Sequence, residues 1–145
     1  MAEPAHPGID WHPRALKVTR SDTQHESVSS RAIDLARRAP IDFDHLRRYT
    51  LGDAMLEREV LELFCRHAPV LLAALRDAGS ERSWRDAAHS LKGSARAIGA
   101  WEVAKGAELA EIAAAPERER RELVTRLEAA VGRIQRFTTS RRALA

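Results

Sequence analysis

The run Ala87-Ala88-His89-Ser90-Leu91-Lys92-Gly93-Ser94-Ala95-Arg96-Ala97-Ile98-Gly99 decides how the rest of the chain is read. Placed on a helix at about 100° per residue, it divides into two halves. Trp84, Ala87, Ala88, Leu91, Ala95 and Ile98 form one apolar stripe. Arg85, His89, Lys92, Gly93 and Arg96 lie on the other half. His89 is therefore predicted to face solvent with three cations around it. Gly93 is its neighbour one turn on, at i+4. A glycine inside a helix costs about 1 kcal/mol relative to alanine. Close approach of another molecule beside the imidazole is one reason to leave that position bare.

The segments on either side also read as helices. Asp42 is a good N-cap for a short helix carrying Leu46 and Tyr49. Leu51-Gly52-Asp53 breaks it, and Asp53 can cap a long helix from about Ala54 to Asp77. Leu56, Val60, Leu63, Phe64, His67, Leu71 and Leu75 are its expected inward stripe. Pro69 removes the backbone bond to Cys65, so a kink is expected there. Gly79 is expected to close the helix. Ser80 or Ser83 caps the His89 helix, and Gly99 ends it in a tight turn. Trp101, Val103, Ala104, Ala107, Ala110 and Ile112 support a further helix to about Ala115. Pro116 opens the last one at a first-turn position. Leu123, Leu127, Ala130, Val131, Ile134 and Phe137 form its heptad-like seam.

Four long amphipathic helices with short connections imply an all-α, antiparallel four-helix bundle over 40–142. Residues 1–39 are expected to be an N-terminal tail, mostly disordered or loosely docked, because prolines and polar residues dominate without a period. A short extra N-terminal helix is expected within it, from Ser27 to Ala39, ended by Pro40.

Composition narrows the function. The chain has 145 residues, 44% of them apolar, which suffices for one modest core. The formal net charge of +3 suits an acidic partner and is too slight to argue for nucleic acid. Cys65 is the only cysteine, so no internal disulfide can form, which fits a reducing compartment. No apolar run approaches a membrane span, and no apolar core follows a basic start. A soluble, cytoplasmic protein that does not engage membranes is the expectation.

The string His89-Ser90-Leu91-Lys92-Gly93-Ser94, with Gly99, resembles the H-x-L-K-G-x-x-x-x-x-G signature of histidine phosphotransfer (HPt) domains. The resemblance extends over about residues 40 to 138. It implies a phosphorelay intermediate of two-component signalling, with His89 as phosphoacceptor. It also implies that partner receiver domains of hybrid kinases and response regulators supply both the aspartate and the metal. No cofactor and no metal of the chain's own are then needed, nor any ATP-dependent kinase activity. Lys92, Gly93 and Gly99 fall on the family's positions.

The chemistry of the residues agrees. An imidazole with an ordinary pKa of about 6.5 is largely neutral at neutral pH and offers a lone pair. Phosphoryl transfer needs in-line positioning and neutralised oxygens, a task for Lys92. Helix geometry alone adds Arg85 and Arg96 as further cations for docking a partner, with Gly93 as the clearance between them and Gly99 as a structural turn. The expected docking surface is the His89 helix with the neighbouring long helix, including apolar edges from Ala54-Met55-Leu56 and from Ala95 to Ile98.

Three other readings compete. A basic helical adaptor or nucleic-acid-binding module lacks aromatics interleaved with the arginines and any helix-turn-helix pair. A histidine kinase dimerisation fragment would carry an acidic residue after the histidine, where Ser90 stands. A hydrolase would need a second acid or base at a clear spacing from His89, and none is visible. A monomer is expected.

Overall fold

Two aspartates start the first two helices. The Asp42 carboxylate accepts from the backbone N–H of His45, and that of Asp53 from Met55 and Leu56. Each satisfies donors that a helix start leaves unpaired. The computed structural model describes residues 39–112 and 115–144. Its helices are α1 (Phe43–Thr50), α2 (Ala54–Arg76), α3 (Glu81–Ile98), α4 (Trp101–Ile112) and α5 (Glu117–Ala143). No strand occurs among the described residues. The tail and the helix expected over 27–39 lie outside them except for Ala39, which is not helical.

The long helices form a closed ring in which α2 packs on α3, α3 on α4, α4 on α5 and α5 back on α2. Side-chain pairs show that neighbours run antiparallel. Along α3 and α4, Trp84 meets Ala110 and Arg96 meets Glu108. Along α4 and α5, Glu102 pairs with Arg133, and a Cβ on Gly106 would press on Leu127. Along α2 and α5, Glu62 pairs with Arg142 and Arg76 with Glu128. The all-α bundle is thus the architecture, with α1 packed across α2 and α3.

The core confirms the stripe expected for α3: Trp84, Ala87, Ala88, Leu91, Ala95 and Ile98 are all buried. It corrects the one expected for α2. The buried residues there are Glu57, Leu61, Phe64, Ala68, Leu72 and Leu75. Leucines are spread over more of this helix than one face can bury, so its rotation is set by its neighbours. Leu56 and Leu63 remain exposed, as do Met55 and Val70. On α1 the second inward residue is Thr50 rather than Tyr49, whose ring is exposed.

Pro69 lies within an unbroken helix. The Cys65 carbonyl, deprived of its partner by the proline, accepts instead from the Gln135 side chain at 3.2 Å. A defect in α2 thus becomes a tie to α5. The helix ends at Arg76 with Asp77 as its cap. Gly79 plays no left-handed part there, since only Gly52 and Gly99 have positive φ among the described glycines.

Ser80 and Ser83 form a reciprocal capping box at the start of α3. Gly99 closes the helix at φ 73°, and a Cβ there would stand 2.8 Å from the Asp42 carbonyl. The same corner holds a polar node. Asp42 N–H donates to the Gly99 carbonyl at 2.9 Å. His45 Nε2–H donates to the Arg96 carbonyl at 2.8 Å, an acceptor at the helix end that also receives the Gly99 N–H at 3.2 Å. Trp101 Nε1–H donates to the Asp42 carboxylate at 3.0 Å, with its ring edge-on to His45. α1 is thereby fastened to the C-terminal end of α3.

The Trp101 hydrogen bond, followed by that from His45, lowers the Asp42 pKa. A carboxyl depressed in the folded state adds stability above its unfolded pKa, and that stability is lost as pH falls through the folded value. Trp101→Phe is expected to cost at most about 1 kcal/mol at neutral pH, because the group is partly solvated. The deficit should shrink on acidification below the ordinary carboxylate range. Denaturant titrations of both proteins across pH measure it.

Candidate functional site

α3 and α4 build the site by coming close. Ala88, Ala95, Ala107 and Ala110 are fully buried where helices meet, so little side-chain bulk separates the backbones. Trp84 is buried with them, and its indole N–H donates to the Ala110 carbonyl at 2.7 Å. The Arg120 guanidinium from α5 lies over the same indole at 4.8 Å. These contacts fix the last turn of α4, and Glu111 follows Ala110 directly.

His89 stands on the outer side of α3, with its side chain 69% exposed. Its Nδ1 lies 2.8 Å from Glu111 Oε1. An ionised carboxylate only accepts, so Nδ1 carries the proton and donates it. The hydrogen bonds from Lys92 and then from His89 hold the Glu111 carboxyl below its ordinary range, against a smaller opposing effect of burial. Glu111 is therefore ionised at neutral pH. In this tautomer Nε2, on the far side of the ring from Glu111, is the nitrogen that bears the lone pair.

Lys92, three residues along the same helix, pairs with the other Glu111 oxygen, Oε2. Its side chain is only 16% exposed, unlike that of His89. Arg96 is exposed and reaches Glu108 at 3.4 Å. Arg85 is exposed on the same helix. Gly93 is exposed, and a Cβ built on it would meet nothing within 4 Å. Packing among the described residues therefore gives no reason for this glycine.

The structure brings His89 and Lys92 together through a residue that sequence reasoning missed. Two of the three expected cations are already held by carboxylates of α4, and the charged group touching the imidazole is an anion. No acid or base stands at a clear sequence spacing from His89, and the carboxylate that reaches it, Glu111, lies 22 residues away in the chain. Its one sequence signal was weak: Glu108 and Glu111 flank the alanine stripe of α4 at helical spacing. The apolar edge expected from Ala95 to Ile98 is also corrected, because both of those residues are core. Exposed apolar groups beside α3 come from α2, with Met55, Leu56, Leu63 and Val70, and from α4, with Leu109 and Ile112.

Among the described residues, no three His, Cys, Asp or Glu side chains gather where they would hold a metal ion. No described helix is long and apolar enough to cross a membrane.

The described residues thus form an antiparallel helical bundle whose exposed His89 on α3 is held by a carboxylate of α4. The family model described as Hpt domain matches residues 59–137, more than half of the chain. The chain belongs to the HPt family, whose domains carry phosphoryl groups on histidine in phosphorelays and interact with receiver domains. Comparisons with curated proteins and with solved structures give no match.

The tautomer is directly measurable. In mildly alkaline solution, 15N spectra of His89 should show Nδ1 protonated and Nε2 bare. Glu111→Ala should move the population toward the Nε2–H form that free imidazole prefers. A ring already in that form in the native protein would contradict the assigned donor.

Proposed function

We propose that this chain is a phosphorelay intermediate in which His89 accepts a phosphoryl group from a receiver aspartate and passes it to a second receiver. The observation that carries this reading is the Nδ1–H bond to Glu111, which leaves Nε2 outward with its lone pair. In the forward step that lone pair forms the N–P bond. The P–O bond of the aspartyl phosphate breaks, and its electron pair stays on the departing carboxylate. The return to a second receiver reverses both changes. The donor phosphate and the accepting carboxylate both arrive on docked proteins, so the chain acts as a carrier without ATP-dependent kinase activity of its own.

Each site residue has a part in this account. His89 is the phosphoacceptor. Lys92 neutralises charge on the phosphoryl oxygens, a task suited to a cation one turn from the imidazole. Arg85 and Arg96 meet acidic groups of the receiver, and Gly93 gives its backbone room. Gly99 is the structural turn that sets where α3 stops. The receiver lies over α3 and the adjoining flank of α2. Glu62, Cys65 and Arg76 mark the flank of α2 that meets α5. Exposed Leu56 and Leu63 lie across the helix from these, toward α3, with Val70 further out. A patch of this size suits a partner that must also leave.

In this reading the bundle of 40–142 holds the relay function, residues 1–39 lie outside it, and the protein works as a cytoplasmic monomer.

Incubation with phosphorylated receivers tests the proposal. Acid-labile, base-stable phosphate should appear on the native chain. His89→Gln should abolish it while the helical circular dichroism spectrum is unchanged; transfer at the native rate would reject the site. Gly93→Leu should raise the receiver concentration needed for half-maximal transfer about tenfold or more, since even modest misfit costs over 1 kcal/mol of docking. Thermal stability should move little, because the added side chain enters open space. Undiminished docking would remove the clearance role.

A further inference from the structure

Glu111 divides its carboxylate between two residues of α3. Oε1 accepts a hydrogen bond from His89 Nδ1–H, and Oε2 faces the Lys92 ammonium. Oε2 is inaccessible to solvent, with Lys92 as its charged partner. A lysine three residues from an exposed imidazole would ordinarily sample many rotamers in water. Here it is folded down against α4 and largely covered. The cation assigned to the phosphoryl oxygens is thus already occupied before any phosphoryl group arrives.

We propose that Glu111 is a positioning residue that stands in for the phosphoryl group, holding Lys92 beside His89 in the empty carrier and releasing it to the phosphoryl oxygens on transfer. This inference rests on His89 being the acceptor. The charges decide the direction of the exchange. A phosphoryl group on Nε2 brings close to two negative charges beside Lys92. The Nδ1 proton stays in place, so the N-phosphorylated ring becomes cationic and binds Glu111 more strongly. Glu111 therefore keeps its ring contact and gives up its lysine contact. Formation of the N–P bond uses the Nε2 lone pair, and no proton leaves the ring. When the N–P bond breaks, the electron pair returns to Nε2, the ring is neutral again, and Lys92 goes back to Oε2.

The other carboxylate on this stretch of α4 is already paired. Glu108, one turn back on α4, is taken by Arg96. The Trp84 bond to the Ala110 carbonyl keeps the Glu111 backbone still while the lysine moves.

The test loads His89 chemically, with phosphoramidate as donor, and follows the Lys92 ammonium resonance by NMR. Mass spectrometry locates the phosphate. In the native protein the resonance should be visible beforehand and should shift on phosphorylation, together with the Glu111 carboxylate carbon. In Glu111→Gln it should vanish into solvent exchange before phosphorylation and appear only with it. With saturating phosphorylated receiver, Glu111→Gln and Lys92→Met should each slow transfer on the order of tenfold, and the double variant no further, with half-saturating receiver concentration unchanged. Phosphate on His89 with an unmoved Lys92 resonance would overturn the exchange and leave the carrier reading intact. Phosphate found elsewhere than His89 would overturn both.

Discussion

The site depends on how closely α3 and α4 approach. Alanines at their shared surface allow it, and the Trp84 indole bonded to the Ala110 carbonyl sets the relative height of the two helices. A shift of one residue along α4 would carry Glu111 about 100° around its axis and away from the imidazole. Everything chemical about His89 follows from that registration: which nitrogen holds the proton, which is free, and where Lys92 rests. Bulky side chains at this contact would fill a core equally well. They would also push the carboxylate out of reach.

The rest of the bundle serves that contact from a distance. α1 fastens to the end of α3 through Asp42, His45 and Trp101, while Gly99 permits the turn that brings α4 back. On the opposite side, Gln135 repairs the gap that Pro69 opens in α2 and ties it to α5. The ring of helices is therefore tied at the Gly99 corner and midway between α2 and α5, and His89 and Gly93 stand exposed on the outer side of α3. They stand there without cost to the core.

Much of this was legible in the sequence because it is local. Helical spacing alone put His89, Gly93 and Arg96 on the outside of α3 and six apolar residues inside. The caps at Asp42, Asp53 and Ser80 follow from side chains that reach their own backbone. What was not legible depends on rotation and on long-range pairing. Leu56 and Leu63 looked like core because the leucines of α2 exceed one face, and only its neighbours decide which of them turn inward. Glu111 was hidden for a similar reason: no local rule connects an acid on one helix to a histidine on the previous one. The picture of an imidazole ringed by cations consequently becomes one of an imidazole and a lysine sharing an anion.

The most direct measurement is the identity of the nitrogen that carries phosphorus after transfer from a phosphorylated receiver. Phosphorus–nitrogen coupling in 15N-labelled protein reports it. The account predicts coupling to Nε2 of His89 with a proton retained on Nδ1; coupling to Nδ1, or to no nitrogen of His89, would contradict it.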